Sequence, residues 1–284
     1  MTKTLYNGIA MPRLGLGTFR VQDGQSVYDT VRYALSVGYR HIDTAQMYGN
    51  EDGIGRAIRD SGLDRKEIFI TTKQRHHMSA EDANQAFNDS LSRLRTDYVD
   101  LYLIHWPNHD KEVNQDTWRF FESLYEHGRA RAIGVCNFQR HHLQDLAETE
   151  RVRPMVNQIE LHPGLPQIPL KRYLDQQNIT TISYGPFMKG GVFKDHYFEG
   201  LKPIADKHGA TIAQVVIAWG IERDIMMIPK SVTPERILEN FQASDLILDP
   251  EDIKTINRLS RGQRVYTDPD NNPWGVLKAY EQAA

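Results

Sequence analysis

Cysteine is nearly absent from this chain: Cys136 is the one cysteine among 284 residues, so no internal disulfide can brace the fold. Long apolar runs are missing as well. No stretch approaches the roughly 20 residues that a bilayer span needs, and the N-terminus has no signal-peptide core. A reducing, cytoplasmic setting is the expectation. A large excess of charge of either sign is also missing. The formal net charge of -3 gives no footing for nucleic acid or for an anionic membrane surface. Asn88-Asp-Ser and Asn178-Ile-Thr match the glycosylation acceptor pattern, but outside the secretory route they are chance matches. No linker rich in proline, serine or glycine and no charge run marks a boundary, so one domain over 1–284 is expected.

What the chain does have is a repeat of short apolar runs, each ending in a residue that can do chemistry. β-Branched and aromatic density predicts strands near Leu14 to Gly17, Arg40 to Asp43, Ile68 to Lys73, Val99 to His105, Arg131 to Cys136, Met155 to Glu160, Thr180 to Tyr184, and Ile225 to Ile228. Helical spacing separates them. Ser79-Ala-Glu-Asp opens a run in which Ala83, Ala86, Phe87, Ser90, Leu91 and Leu94 share a face. Thr233-Pro234-Glu235 supplies a cap, a first-turn proline and an acid for another helix, and a further helix spans Pro250 to Leu259. Eight strands with right-handed crossovers close a (β/α)8 TIM barrel, for which roughly 250 residues is typical. Two pieces stand outside the alternation. Asn7-Gly8 signals an N-terminal β-hairpin that caps the barrel, and the turn-rich tail from Tyr266 to Trp274 reads as a C-terminal loop over the mouth.

In such a barrel the C-terminal strand ends meet at one face, which brings Asp43, Tyr48, Lys73 and His105 together. A tyrosine hydroxyl, with an ordinary pKa of about 10, is a weak acid near neutrality. An adjacent ammonium favours the phenolate and lowers that value, and a carboxylate can hold the ammonium in place. Lys73 and Asp43 would do this for Tyr48, while His105 would orient an oxygen. The implied reaction is carbonyl reduction. Lys230 and Ser231 precede the helix that starts near Thr233, with Arg236 in its first turn. Two cations and a hydroxyl beside open helix amides suit a 2'-phosphate and favour NADPH over NADH. Gly15-Leu-Gly17 is no dinucleotide fingerprint, because Phe19-Arg20 follow where a third glycine belongs.

Several longer segments carry a family resemblance. His41-Ile-Asp-Thr-Ala-Gln-Met-Tyr-Gly-Asn-Glu51, Leu103-Ile-His-Trp-Pro107, Gly134-Val-Cys-Asn-Phe138, Asn157-Gln-Ile-Glu-Leu-His-Pro163 and Ile228-Pro-Lys-Ser231 resemble, in order and spacing, the signatures of the aldo-keto reductases. The likeness runs from about Leu14 to Leu259. It implies that Tyr48 gives the proton, that Lys73 and Asp43 tune it, and that His105 orients the substrate. It implies cofactor contacts at Gly17, Thr18, Asp43, Asn137, Gln158, Tyr184, Gly185 and Pro186, with Asn137 and Gln158 on the nicotinamide carboxamide and Tyr184 stacked on the ring. At the other end it implies Lys230, Ser231, Val232, Thr233 and Arg236 on the phosphoribose, and Glu239 and Asn240 on the adenine.

Position beside the motif ends or in the tail makes Phe19, Ala45, Met47, Trp106, Phe187 and Trp274 the candidate substrate walls. The segment from Pro107 to Gln115 and the tail are short, which is similar to bacterial diketogluconate-reductase-like members and implies an open mouth. The partner is a small carbonyl compound, with a monomer expected and a weak dimer the alternative; no metal is expected. Two other readings stand beside this one. His41, Asp43, His76, His77 and His105 contain zinc-type ligands and allow a barrel hydrolase, although Lys73 would set a cation among them. A non-catalytic NADPH-binding redox sensor is the other.

Overall fold

The computed structural model describes residues 1–75 and 77–275. Each of the eight expected strands forms. A hairpin of β1 (Thr2–Thr4) and β2 (Ala10–Pro12) comes first. It is followed by β3 (Leu16–Gly17), β4 (His41–Asp43), β5 (Phe69–Gln74), β6 (Val99–Ile104), β7 (Ala130–Cys136), β8 (Val156–Glu160), β9 (Thr180–Tyr184) and β10 (Met226–Met227). Strands β3 to β10 pair in parallel and in chain order. The two ends of this sheet meet, since Leu14 bridges Met227 and the Gly15 and Gly17 amides donate to the Met227 and Pro229 carbonyls. An added Cβ on Gly17 would stand 2.8 Å from the Ile228 carbonyl oxygen, so closure requires glycine there.

The crossovers are α1 (Gln25–Ser36), α2 (Glu51–Arg59), α3 (Ala80–Leu94), α4 (Lys111–Glu126), α5 (Arg140–Ala147) and α6 (Ile168–Gln176). Between β9 and β10 there are two, α7 (Asp195–Lys207) and α8 (Ile212–Glu222), and α9 (Pro234–Gln242) and α10 (Pro250–Arg258) follow β10. The α3 start is capped as expected, with Ser79 accepting from the Asp82 amide; Ala83, Phe87, Ser90, Leu91 and Leu94 are buried and Ala86 partly so. Helix α8 buries residues on every side, among them Val215, Val216, Ile217 and Trp219. Each such large apolar side chain contributes about 1.5–3 kcal/mol, and they lock the helical layer onto the sheet.

The hairpin turns through Tyr6, Asn7 and Gly8, with the Gly8 amide donating to Leu5 and only Gly8 left-handed. This is a three-residue turn ending in a glycine bulge, not the two-residue turn that Asn-Gly suggests. Its side chains reach residues at or just before the starts of the strands: Asn7 donates to the Arg131 carbonyl, Tyr6 to that of Arg153, and Lys3 pairs with Asp224. At the opposite end of the strands lie the residues considered next.

Candidate active site

Lys73, on β5, is wholly buried, and a buried ammonium is tolerated only when its protons are taken up. All three are. Lys73 Nζ donates to Asp43 Oδ1 at 2.6 Å, to the Thr44 carbonyl at 2.7 Å and to Tyr48 Oη at 3.4 Å. Asp43 ends β4, and its second oxygen accepts from Gln158 Nε2 at 2.8 Å. Tyr48 lies in the short turn Gln46–Tyr48. Its ring stands edge-on to His105 at 5.7 Å and packs against Phe19 at 5.0 Å between centroids. The four residues come together around Tyr48: Lys73 touches its hydroxyl, Asp43 holds Lys73, and His105 packs against its ring.

Burial works against the Lys73 charge, but the Asp43 carboxylate outweighs it and holds the ammonium above the ordinary lysine value. Burial likewise raises the Asp43 carboxyl, opposed by Lys73 and Gln158. For Tyr48 the balance corrects the sequence expectation. Burial pushes the hydroxyl up to about 12, and Lys73 pulls it down without cancelling that rise. A pattern of charges suggests a more acidic tyrosine; the depth of the site reverses the sign.

The amides expected at a cofactor are tied into the same mouth. Asn137, held left-handed at φ 64°, donates through Nδ2 to the His105 carbonyl at 3.0 Å and accepts from Tyr184 Oη at 2.8 Å. Thr18 spends its hydroxyl on the Asp43 carbonyl. Gly185 has φ 62°, and a Cβ there would come within 2.5 Å of Tyr266, which itself stands edge-on to Tyr184. Pro186 is buried behind them.

At the start of α9, Thr233 occupies the cap position but makes no side-chain cap; instead Ser231 Oγ accepts the Thr233 amide at 3.1 Å. The first-turn amides are therefore left for an anion. Lys230 and Arg236 are exposed and make no ion pair among the described residues, Val232 is exposed, Glu239 is partly buried and Asn240 buried. An uncapped helix start with two uncommitted cations fits a phosphate-bearing cofactor.

The expected substrate walls divide. Trp106 and Trp274 lie 4.9 Å apart and line a cavity with His105, Gln74, Arg75, His77 and Ile104. Phe19 caps Tyr48. Ala45 is wholly buried beneath the turn and Phe187 packs on Phe193; like Phe19, neither they nor Met47 line that cavity. Gln74 and Arg75 escaped the sequence reading, although they follow Lys73 directly, a signal that was available. Tyr266 entered it only as the start of the tail, with no sign that it meets Tyr184. Its segment is anchored by the buried Glu160, which accepts from the Val265 amide at 2.6 Å and from Arg264 at 3.2 Å.

The hydrolase ligands do not assemble. His41 bonds Thr71, Asp43 is engaged by Lys73, and His77 bonds Thr117 and the Trp106 carbonyl; His76 lies outside the described residues. None of those described belongs to a group spaced for a metal.

A closed parallel barrel with a buried Lys-Asp pair under a mouth tyrosine defines a carbonyl-reducing oxidoreductase. The chain belongs to the Aldo/keto reductase family, whose profile matches residues 13–261. The family works with NADP(H). The chain is 46% identical over 272 residues to a 9,11-endoperoxide prostaglandin H2 reductase of Trypanosoma cruzi, covering 94% of each. It is 44% identical over 270 residues to a glyoxal reductase of Bacillus subtilis, covering 95% of this chain and 96% of that one. Among solved structures, an aldo-keto reductase from a Medee basin deep-sea metagenome library superposes with a TM-score of 0.92 at 46% identity, over 95% of this chain and 99% of the other.

Proposed function

We propose that this protein reduces small reactive aldehydes and dicarbonyls, or keto-sugars, to alcohols with NADPH, and that Tyr48 supplies the proton. The observation that carries this reading is the Lys73 ammonium held between Asp43 and Tyr48. When bound, NADPH supplies the hydride to the carbonyl carbon. Everything else falls to the chain. A carbonyl oxygen set between Tyr48 and His105 receives a hydrogen bond that strengthens as negative charge develops, and then the Tyr48 proton. Raised to about 12, Tyr48 keeps that proton at neutral pH, yet it remains a far stronger acid than an alcohol. Lys73 stabilises the phenolate left behind, and Asp43 keeps Lys73 charged.

Asn137, Gln158, Tyr184, Gly185, Pro186, Gly17 and Thr18 would hold the nicotinamide half. Lys230, Ser231, Val232, Thr233 and Arg236 would hold the phosphoribose, with Glu239 and Asn240 at the adenine. The hairpin would close the far end of the barrel, and the segment carrying Tyr266 and Trp274 would lie over the mouth. Trp106, Trp274 and Phe19 are the favoured substrate walls. The glyoxal reductase among the relatives supports small dicarbonyls first. A panel of glyoxal, methylglyoxal, aromatic aldehydes and keto-sugars, followed by loss of NADPH absorbance, tests this. Turnover that survives a strong chelator is expected. Abolition of turnover by dialysis against the chelator, restored by zinc in the unaltered protein and in Asp270→Asn alike, contradicts it.

A further inference from the structure

A second polar cavity, of about 180 Å3, is lined by His109, Lys111, His141, His142, Asp145 and Asp270, among others, with the Lys111 ammonium turned onto Glu148. It has no part in the chemistry at Tyr48. His141 and His142 stand in the first turn of α5, and Asp270 in the short turn Pro269–Asn271 of the C-terminal segment. Asp270 Oδ1 lies 3.2 Å from His141 Nε2 and 3.6 Å from His142 Nε2. One ligand atom from each of the three residues falls within 4.8 Å of the others. Donors bound to one tetrahedral Zn2+ at about 2.0–2.1 Å stand roughly 3.3 Å apart, so the two His–Asp spacings are those of neighbouring corners, and the two histidines need at most a small closing movement to join them.

We propose that His141, His142 and Asp270 bind a divalent cation of the zinc class, and that the cation ties the C-terminal segment to α5. The fourth corner faces the cavity and takes water. Two imidazoles and one carboxylate favour Zn2+, Co2+ or Ni2+ over Mg2+ and Ca2+, which require mostly oxygen. His141 and Asp270 are about half exposed and His142 is buried, which leaves an entry path on one side and a fixed ring on the other.

Binding has a definite cost. His142 Nδ1 accepts the Gln139 amide at 3.1 Å, so the neutral ring carries its proton on Nε2 and points it toward Asp270. Loading the cation on Nε2 moves that proton to Nδ1 and releases the Gln139 hydrogen bond, with no net change in protonation. The grip is correspondingly weaker than that of a preformed structural zinc site. The consequence reaches the mouth. Two residues beyond Asp270, Asn272 donates to the Pro107 carbonyl at 3.1 Å, and two further on Trp274 meets Trp106. Fixing Asp270 pins the segment that places Trp274 in the cavity beside His105.

The test uses untagged full-length protein stripped with a chelator and titrated with Zn2+ against a chromogenic competitor. Cys136 is buried and offers no competing surface thiol. One Zn2+ per chain is expected, unaffected by excess Mg2+, with Co2+ giving the visible bands of a four-coordinate site. His141→Gln and Asp270→Asn should each weaken binding tenfold or more while melting as the unaltered protein does in chelator; Asp268→Asn should not weaken it. Zn2+ should also slow hydrogen exchange in residues 266–275, and not in Asp270→Asn. Equal Zn2+ affinity in the unaltered protein and both variants overturns the site, and binding without slowed exchange overturns the tie. Neither readout depends on reductase activity, so failure here leaves the reading of Tyr48 intact.

Discussion

The Lys73 ammonium lies 3.4 Å from the Tyr48 hydroxyl, fully out of water, and is bonded at 2.6 Å to Asp43. Its role is not to make Tyr48 a strong acid, because burial more than offsets it. It limits how weak an acid Tyr48 becomes, and it is already in place for the phenolate that proton transfer creates.

Lys73→Met removes the charge and keeps the stem. Asp43 is then a buried carboxylate without its cation, a loss of about 3–5 kcal/mol that should appear as a lower melting temperature. Reductive kcat/KM should fall at least tenfold. Combined with Tyr48→Phe, it should be little worse than either single change, since groups acting as one unit are not additive. Independent, multiplying losses would separate Lys73 from the acid.

The raised Tyr48 also fixes the sense of the pH profile. Carbonyl reduction needs the hydroxyl, so kcat/KM should hold through neutral and mildly alkaline pH and fall only toward about 12. Alcohol oxidation needs the phenolate and should rise over the same range. Profiles of both directions with one alcohol and aldehyde pair check this.

Replacing Lys230 and Arg236 by glutamine should raise KM for NADPH far more than for NADH. Each charge-assisted contact is worth roughly 1.5–3 kcal/mol, about tenfold or more. Matched losses with the two cofactors would leave these residues a merely structural place at the start of α9.

Acid stability tests the core beneath the mouth. Burial lowers His41 from 6.5 to about 3 and His77 to about 4, so both stay neutral when folded, while the unfolded chain takes up protons below about 6.5. The stability they contribute is complete above that pH and is lost as pH falls toward the folded values. His41 alone should remove roughly 3 kcal/mol between pH 7 and 4. Urea unfolding of His41→Asn should show a shallower fall with acid; an unchanged slope would rule His41 out as its source.

Much of this was legible because the informative residues sit where local pattern and topology coincide. A strand read from Ile68 to Lys73 places Lys73 at the mouth whatever the side chains do, and the barrel then delivers Asp43 and His105. The doubled crossover α7–α8 was not anticipated, since one long connection does not announce two helices. Thr233 had the sequence of a cap, but Ser231 reaches its amide instead. Ala45 was chosen for its neighbours in sequence, whereas packing leaves it wholly buried. Tyr266 shows the same limit: its place depends on Glu160, more than a hundred residues away.

Tyr48→Phe tests the central claim most directly, because it deletes one hydroxyl and keeps the ring against Phe19 and His105. NADPH titration by protein fluorescence, beside steady-state rates on one good aldehyde, reads both consequences. Near-normal NADPH binding with turnover reduced roughly 10² to 10⁴ fold, the usual range for a lost general acid, is the expected result. Near-normal turnover, or loss of NADPH binding, would contradict Tyr48 as the proton donor.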